Sequence, residues 1–340
     1  MGSNVTLKQI ADELGMSAMT VSRALNNKSN VDSRTKERVI KKARSMGYTP
    51  NHVAKSLVSR KTNTIGVVIP EIFHAFFSEV VSGIEEAAYS LNYQLFLTNS
   101  SESFEREKSS INALLSKRVD GLLISCAESA NDTAFYKQIV DNGLPIVFFD
   151  RCVPNIGASC VRVNDYESAL QITQHLVDLG HRTFAHLGGP QQVQMASNRL
   201  DGIRDALGQH DLSLNQNNIF ESGFGEKGGY NATRQLLEQE NNHLPDAIIA
   251  VNDPVAFGAI KAITEAGLTI PDDIAIVGFS DDIRSALMPS PLTTVRQPAF
   301  NMGRHSAGKL FRAIDNPDEA VEDITLKNEI IIRESCGAAR

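Results

Sequence analysis

Long apolar runs, closely spaced cysteines and catalytic signatures are what this 340-residue chain lacks. No segment approaches the ~18 consecutive apolar residues of a membrane helix, and the opening MGSNVTLKQ has no signal-peptide apolar core. The sequence thus reads as cytoplasmic, with no membrane partner. Cys126, Cys152, Cys160 and Cys336 show no CxxC spacing and are too sparse for a disulfide scaffold, so free thiols are expected. HExxH, GxxxxGK[ST] and GxSxG are absent, which removes the commonest metal, nucleotide-hydrolysis and serine-nucleophile signatures. No catalytic residue, metal or cofactor is assigned.

Charge is unevenly spread. Residues 1–62 hold twelve Lys or Arg against four Asp or Glu, a net +8, whereas the remaining 278 hold 21 against 36, a net −15. A basic arm on an acidic body is the usual mark of nucleic-acid binding, although a basic run alone is often only a solvated face. A body of that length with 42% hydrophobic content overall suits more than one core.

The basic arm also carries a structural pattern. In TLKQIADELGMSAMTVSRAL, Thr6 to Leu25, Leu7, Ile10, Ala11 and Leu14 recur at helical spacing and Met16, Val21 and Leu25 form a second stripe. Gly15 supplies the left-handed turn between them, and Ser17 can cap the second helix. This is helix-turn-helix spacing, in which the second helix enters the DNA major groove. A helical hairpin inside a core would show similar spacing; the coincident positive charge favours the DNA reading. Asp32 or Ser33 then caps a third helix that ends at Gly47, and Asn51 can cap a very short fourth, HVAKSLVSRK.

From Ile65 short apolar strands alternate with amphipathic helices, the texture of parallel sheets covered on both faces. Strands are expected near 65–69, 94–98, 120–124, 146–149, 184–187, 247–251 and 274–279, forming two doubly wound units. Ligands of such sheets sit beyond the carboxyl ends of the strands. Polar residues there include Asp150, Arg151, Asn252, Asp253, Ser280 and Asp281, each of which alone is explained as a turn residue.

The run VTLKQIADELGMSAMTVSRALNNKSNVDSRTKERVIKKARSMGYTPNHVAKSLVSRKTNTIGVVIP resembles the LacI/GalR family of bacterial regulators, the lactose- and purine-repressor-like proteins. NRLDGIRDAL, AVNDPVAFGAIKAITEAGLTIPDDIAIVGFSDD and SPLTTVRQPAFNMG extend the resemblance over essentially the whole chain. It implies an α/β protein with a three-helix headpiece at 1–62, including a hinge helix at 51–60, and a periplasmic-binding-protein-like core at 63–340. The core's first subdomain would take about 63–163 and 292–318, and its second about 164–291 and 319–340. The resemblance further implies a repressor that binds palindromic operator DNA as a homodimer, with higher oligomers open, under control of a small-molecule effector held between the subdomains.

Residue by residue, the resemblance places Ala18, Met19 and Arg23 against base edges. Arg23 can bind guanine O6 and N7 in bidentate fashion, and the other two offer apolar contact suited to a thymine methyl. Thr6, Ser17, Ser22, Asn26, Thr35, Tyr48 and Asn51 match phosphate-contacting positions, although Ser17 and Asn51 are explained equally well as helix caps. Leu57 matches a minor-groove wedge, with Ala54 one turn earlier.

At the effector end, Arg199 matches the family's ligand arginine, and Asp150 ends a strand at another ligand position. Phe76, Phe77, Phe224, Asn252, Ser280 and Asp281 complete the expected set. A carboxylate accepting from hydroxyls and a guanidinium donating to oxygens describe a polyol-like ligand, a sugar or sugar derivative. The plainer alternative is a structural salt bridge of Asp150 with Arg151 or Arg199. Ser280 replaces the first acid of a pair common in relatives, so the ligand cannot be carried over by analogy.

Two rivals remain. GFGEKG at 223–228 satisfies GxGxxG and would mark an NAD-dependent oxidoreductase, but its preceding strand, IFES, is weak and no well-placed acid follows. A sugar-binding protein with no DNA role would fit the body alone, but it predicts a signal peptide and no basic head.

Overall fold

A computed structural model describes residues 5–26, 30–48, 61–127, 132–239 and 244–338. It divides into two compact units, Met1–Thr62 and Asn63–Arg340. The smaller holds helices α1 (Leu7–Leu14), α2 (Ala18–Leu25) and α3 (Ser33–Ser45). Each has a side-chain cap: Thr6 accepts from Gln9 N in a capping box, Ser17 from Thr20 N, and Asp32 from Thr35 N. Gly15 adopts φ 62°, which lets α1 stop within one residue and α2 fold back on it. Ile10, Val21 and Val39 are fully buried at the meeting point of the three helices. Each burial contributes about 1.5–3 kcal/mol, so so small a core tolerates few losses.

The larger unit contains two six-stranded sheets. Its strands are β1 (Thr64–Ile69), β2 (Gln94–Asn99), β3 (Leu122–Ile124), β4 (Ile146–Phe149), β5 (Ser159–Val163), β6 (Phe184–Gly188), β7 (Ile219–Glu221), β8 (Ala247–Ala250), β9 (Ala275–Ser280), β10 (Thr293–Arg296), β11 (Asp323–Leu326) and β12 (Glu329–Ile331). The first sheet runs β11-β5-β4-β3-β1-β2 and the second β12-β10-β9-β8-β6-β7, parallel throughout except for β12 on β10. Buried on both faces, β1, β3, β4 and β8 are apolar along their lengths, as a covered parallel sheet requires. In the first lobe, the helices Ala75–Ser90 and Ala299–Asp315 cross where Gly83 meets Gly303. A methyl at either glycine would lie 2.0 Å from a carbonyl oxygen of the facing helix.

Two expectations are corrected. The chain returns to the first lobe after β10, not at 292, because Thr293–Arg296 pairs with β9 in the second sheet. It leaves again beyond β11, not at 318, because Asp323–Leu326 pairs with β5 in the first. The cysteines are also not all free: Cys152 and Cys160 form a disulfide, whereas Cys126 and Cys336 are free and buried. The cause is local topology, since β5 runs beside β4 with Cys160 opposite Phe148, and the returning loop brings Cys152 alongside. Among the described residues no helix is long and apolar enough to cross a membrane.

Candidate functional site

On α2, burial of Val21 and Ala24 turns the opposite face outward. Ala18, Met19 and Arg23 are exposed there, and Met19, an apolar side chain, is 63% exposed. Arg23 makes no hydrogen bond with the described residues, so its guanidinium fork is unspent. Thr6, Ser17 and Asn26 are exposed but already bonded, to Gln9, Thr20 and the Ser22 carbonyl respectively. Ser22 and Thr35 are half-buried, and the Tyr48 phenol, packed against the headpiece core, has its pKa raised by burial. Asn51, Ala54, Leu57 and the hinge segment 51–60 lie outside the described residues.

In the larger unit, five of the ten described non-glycine residues with positive φ lie at strand carboxyl ends. Asp150 (60°) follows β4, Ser101 (49°) and Glu102 (55°) follow β2, and Ser280 (121°) and Asp281 (56°) close β9. Such conformations cost about 1–3 kcal/mol each and persist where surrounding structure imposes them, commonly at ligand sites. Of these, Asp150 and Ser280 line one cleft between the lobes.

From the first lobe the cleft receives His74, Phe76, Phe77, Asp150 and Arg151. Phe76 and Phe77 meet edge to face at 5.1 Å, and Phe77 is also core. Asp150 is 9% exposed, and loss of water pushes its carboxyl up to about 6, opposed chiefly by Arg151. No hydrogen bond reaches its carboxylate among the described residues; Arg151 Nε, at 3.9 Å, is too far. Arg151 is instead held by Glu102, whose oxygens accept from Nη1 at 2.8 and 3.0 Å, and its guanidinium lies 4.5 Å from the Phe224 ring centroid of the other lobe. Burial lowers the pKa of the His74 imidazole.

The second lobe supplies Met195, Arg199, Phe224, Asn252, Pro254, Ser280, Asp282 and Gln297. Arg199 is 1% exposed; Nε and Nη2 donate to Asp165 at 2.9 and 2.6 Å, Nη1 donates to the Val251 carbonyl, and the guanidinium stacks 4.3 Å from Phe279. These bonds take three of its five N–H donors. Its ion pair is therefore with Asp165, not Asp150. Asn252 is spent as a helix cap, accepting from Val255 N and donating to the Phe224 carbonyl. Gln297 is 6% exposed, and its Nε2 has no partner.

Seven of the eight effector residues expected from the sequence line this one cleft. Asp281 is the exception: its carboxylate is claimed by Arg296 at 2.7 Å and Arg333 at 2.6 Å, and the next residue, Asp282, faces the cleft in its place. The left-handed turn at Ser280 and Asp281 redirects the chain and causes the swap. Sequence reasoning did not assign His74, Arg151, Asp282 or Gln297 to the ligand set. Arg151 and Asp282 stood beside residues it chose, and Gln297 lies in the matched stretch SPLTTVRQPAFNMG.

Among the described residues no group of three or more His, Cys, Asp or Glu could hold a metal ion. GFGEKG is not a dinucleotide loop either. It follows β7, an edge strand of its sheet, and not a central strand at a switch point of the strand order.

Residues 6–51 match the family described as bacterial regulatory proteins, lacI family, and residues 173–336 match the periplasmic binding protein-like domain. The HTH-type transcriptional repressor PurR of Haemophilus influenzae (strain PittEE) is 32% identical over 333 residues, which cover 97% of this chain and 98% of that protein. This chain belongs to the LacI family. As a member it is a DNA-binding transcriptional regulator of the repressor type, its α2 the second helix of the family's helix-turn-helix. Among solved structures, the lac repressor dimer bound to operator and the anti-inducer ONPF matches with a TM-score of 0.87 at 27% identity, covering 98% of this chain and 99% of that one. The transcriptional regulator CelR–cellobiose complex matches with a TM-score of 0.74 at 27% identity, covering 98% and 100%.

Proposed function

We propose that this LacI-family regulator, acting in the cytoplasm and not as an enzyme, takes a sugar or simple sugar derivative into the cleft between its lobes. The carrying observation is the Asp150 carboxylate, buried yet without a donor. An ionised carboxylate only accepts, so it calls for a ligand rich in O–H or N–H groups. Gln297 Nε2, the two uncommitted Arg199 N–H groups and the Phe224 and Phe76 rings supply the complementary donors and flat walls. Cellobiose in the related CelR complex is a ligand of this kind.

At the DNA end, Arg23 reads a guanine in each half of a palindromic operator, and Ala18 and Met19 provide apolar contact. A second copy completes the palindrome. The edge strand β2, with Phe96 40% and Leu97 38% exposed, offers the kind of unpaired apolar edge that a partner covers.

Calorimetric titration of neutral sugars into the full-length protein, followed by operator titration in the presence of each hit, tests the reading. The expected result is a saturable hit that shifts operator affinity and is lost in Asp150→Ala. A hit that binds Asp150→Ala equally well would move the effector site elsewhere.

A further inference from the structure

The cleft wall contains two guanidinium groups, which at first sight suits an anion. Their pairing says otherwise. Arg199 is matched by Asp165, 2.6 Å away, and Arg151 by Glu102, 2.8 Å away. The one other lining carboxylate besides Asp150 is Asp282, itself matched by Arg284 at 3.0 Å. Every cation in the wall thus has its own carboxylate, and Asp150 adds one carboxylate more, 3.9 Å from the Nε of an arginine already held by Glu102. The cleft is a net negative environment in spite of its arginines. A ligand phosphate or carboxylate would meet that uncompensated charge at low dielectric, where like charges repel strongly.

Glu102 decides this balance, and the chain goes to some trouble to place it. It does not line the cleft, and it sits just before the helix Phe104–Ser116, where an acidic residue is ordinarily a solvated partner of the helix dipole. Its side chain is instead only 23% exposed and turned onto Arg151. Two consecutive left-handed residues, Ser101 and Glu102, make the turn that brings it there. Glu102 N bonds to the Pro70 carbonyl, Ser103 N to the Ser100 carbonyl, and Asn99 Nδ2 to Ser101 Oγ. Left-handed backbone at a residue as long as Glu is uncommon without a purpose.

We infer that Glu102 is a specificity-determining positioning residue: by neutralising Arg151 it makes the effector cleft reject anions, so that the effector is an uncharged polyol and sugar phosphates and sugar acids are excluded. The inference rests on the reading of this cleft as the effector site. It names a residue that touches Arg151 and not the ligand. With Glu102 neutral, Arg151 loses the carboxylate that holds its Nη1 at the cleft wall and, still stacked on Phe224, has charge to offer an anion.

Inorganic phosphate is a sufficient probe, and its use separates this inference from the effector reading, which is tested with sugars and operator. Thermal unfolding of the full-length protein is followed against sodium phosphate, with sodium chloride matching the ionic strength. Wild type is expected to show no saturable shift that depends on Arg151. Glu102→Gln should gain one, with apparent phosphate affinity at least about ten-fold tighter, and adding Arg151→Gln should abolish it. Glu102→Asn, which suits the left-handed backbone better, provides a second neutral variant if the first folds poorly. A saturable shift in wild type that Arg151→Gln removes would overturn the inference. So would folded Glu102→Gln and Glu102→Asn proteins that remain indifferent to phosphate. A purely structural role for Glu102 would lower the melting temperature without altering the response to phosphate.

Discussion

Asp150 and Asp253 both lie past the carboxyl end of a strand, Asp150 directly after β4 in the first sheet and Asp253 three residues beyond β8 in the second, and are alike in several crude respects. Both are buried, and loss of water pushes both carboxyls up to about 6. Their partners differ completely. Asp253 accepts from Thr294 Oγ1 at 2.6 Å, Ser285 Oγ at 2.7 Å and Asp282 N at 2.8 Å, which ties β8, β10 and the turn after β9 together. Asp150 accepts nothing. A buried polar group that the protein satisfies is part of the architecture, and one that it leaves unsatisfied is kept for something that arrives. The shifted pKa alone would have marked both as site residues; the hydrogen-bond partners separate them.

Removing each carboxylate should show the contrast at once. Asp253→Ala strands three donors in the second lobe and is expected to lower unfolding free energy by about 3–5 kcal/mol in denaturant titration. Less than ~1 kcal/mol would mean the network is not structural. Asp150→Asn should act in the opposite direction. It removes a charge whose burial is opposed by no hydrogen bond, and the shift from 3.8 to about 6 corresponds to at most ~3 kcal/mol. Stability of the unliganded variant at neutral pH should therefore rise by about 1–3 kcal/mol, while calorimetric binding of any sugar effector disappears. A destabilised Asp150→Asn would place Asp150 in the same class as Asp253.

The same distinction explains what could be read from the chain beforehand. Apolar periodicity located the strands that are buried on both faces, β1, β3, β4, β8 and β9, because covered strands must be continuously apolar. It passed over β5, β10, β11 and β12, where alternation, threonine or charge leaves little apolar signal: SCVRV buries only alternate residues, TTVR opens on two threonines, and DITL and EII lie at sheet edges. The lobe boundaries at 292 and 318 slipped for that reason, since they turn on where β10 and β11 pair. Strand-end polar residues pointed to the cleft. Periodicity cannot tell which of two neighbours faces inward, so Asp281 was chosen and Asp282 passed over; the turn at Ser280 decided it. Nor does sequence reveal whether a polar group is already spent. Arg199 on Asp165, Asn252 as a cap and Glu102 on Arg151 become visible only as pairings across 34, 3 and 49 residues of chain.

In the headpiece the rule separates Ser17 from Arg23. Ser17 is exposed at the start of α2, but its hydroxyl already holds Thr20, whereas Arg23 and Met19 face outward, Arg23 with no hydrogen bond among the described residues. Arg23→Ala should therefore cost about 1–3 kcal/mol of operator affinity, concentrated at one base pair per half-site. The check is binding to a set of operators mutated one position at a time. A loss spread evenly over all of them would reassign Arg23 to phosphate contact and place it with the positioning residues.

The smallest expected effect is a pH dependence with two opposite signs. Because folding raises the Asp150 carboxyl from 3.8 to about 6, its contribution to stability is full below about 3.8 and is lost as pH rises through about 6. Ligand binding runs the other way, since a hydroxyl donor needs the ionised carboxylate. Between pH 7.5 and 5.5 the ionised fraction falls roughly four-fold for a group titrating near 6, and effector affinity should fall by about that factor. Asp253 adds to the stability trend with the same sign, while buried His186, held down to about 4, opposes it by losing stability as pH falls from about 6.5. The difference between wild type and Asp150→Asn cancels both. That difference should show unliganded wild type gaining on the variant as pH drops, in the range where wild type loses its grip on the ligand. If stability and affinity instead change in the same direction, Asp150 is not the acceptor that the ligand meets.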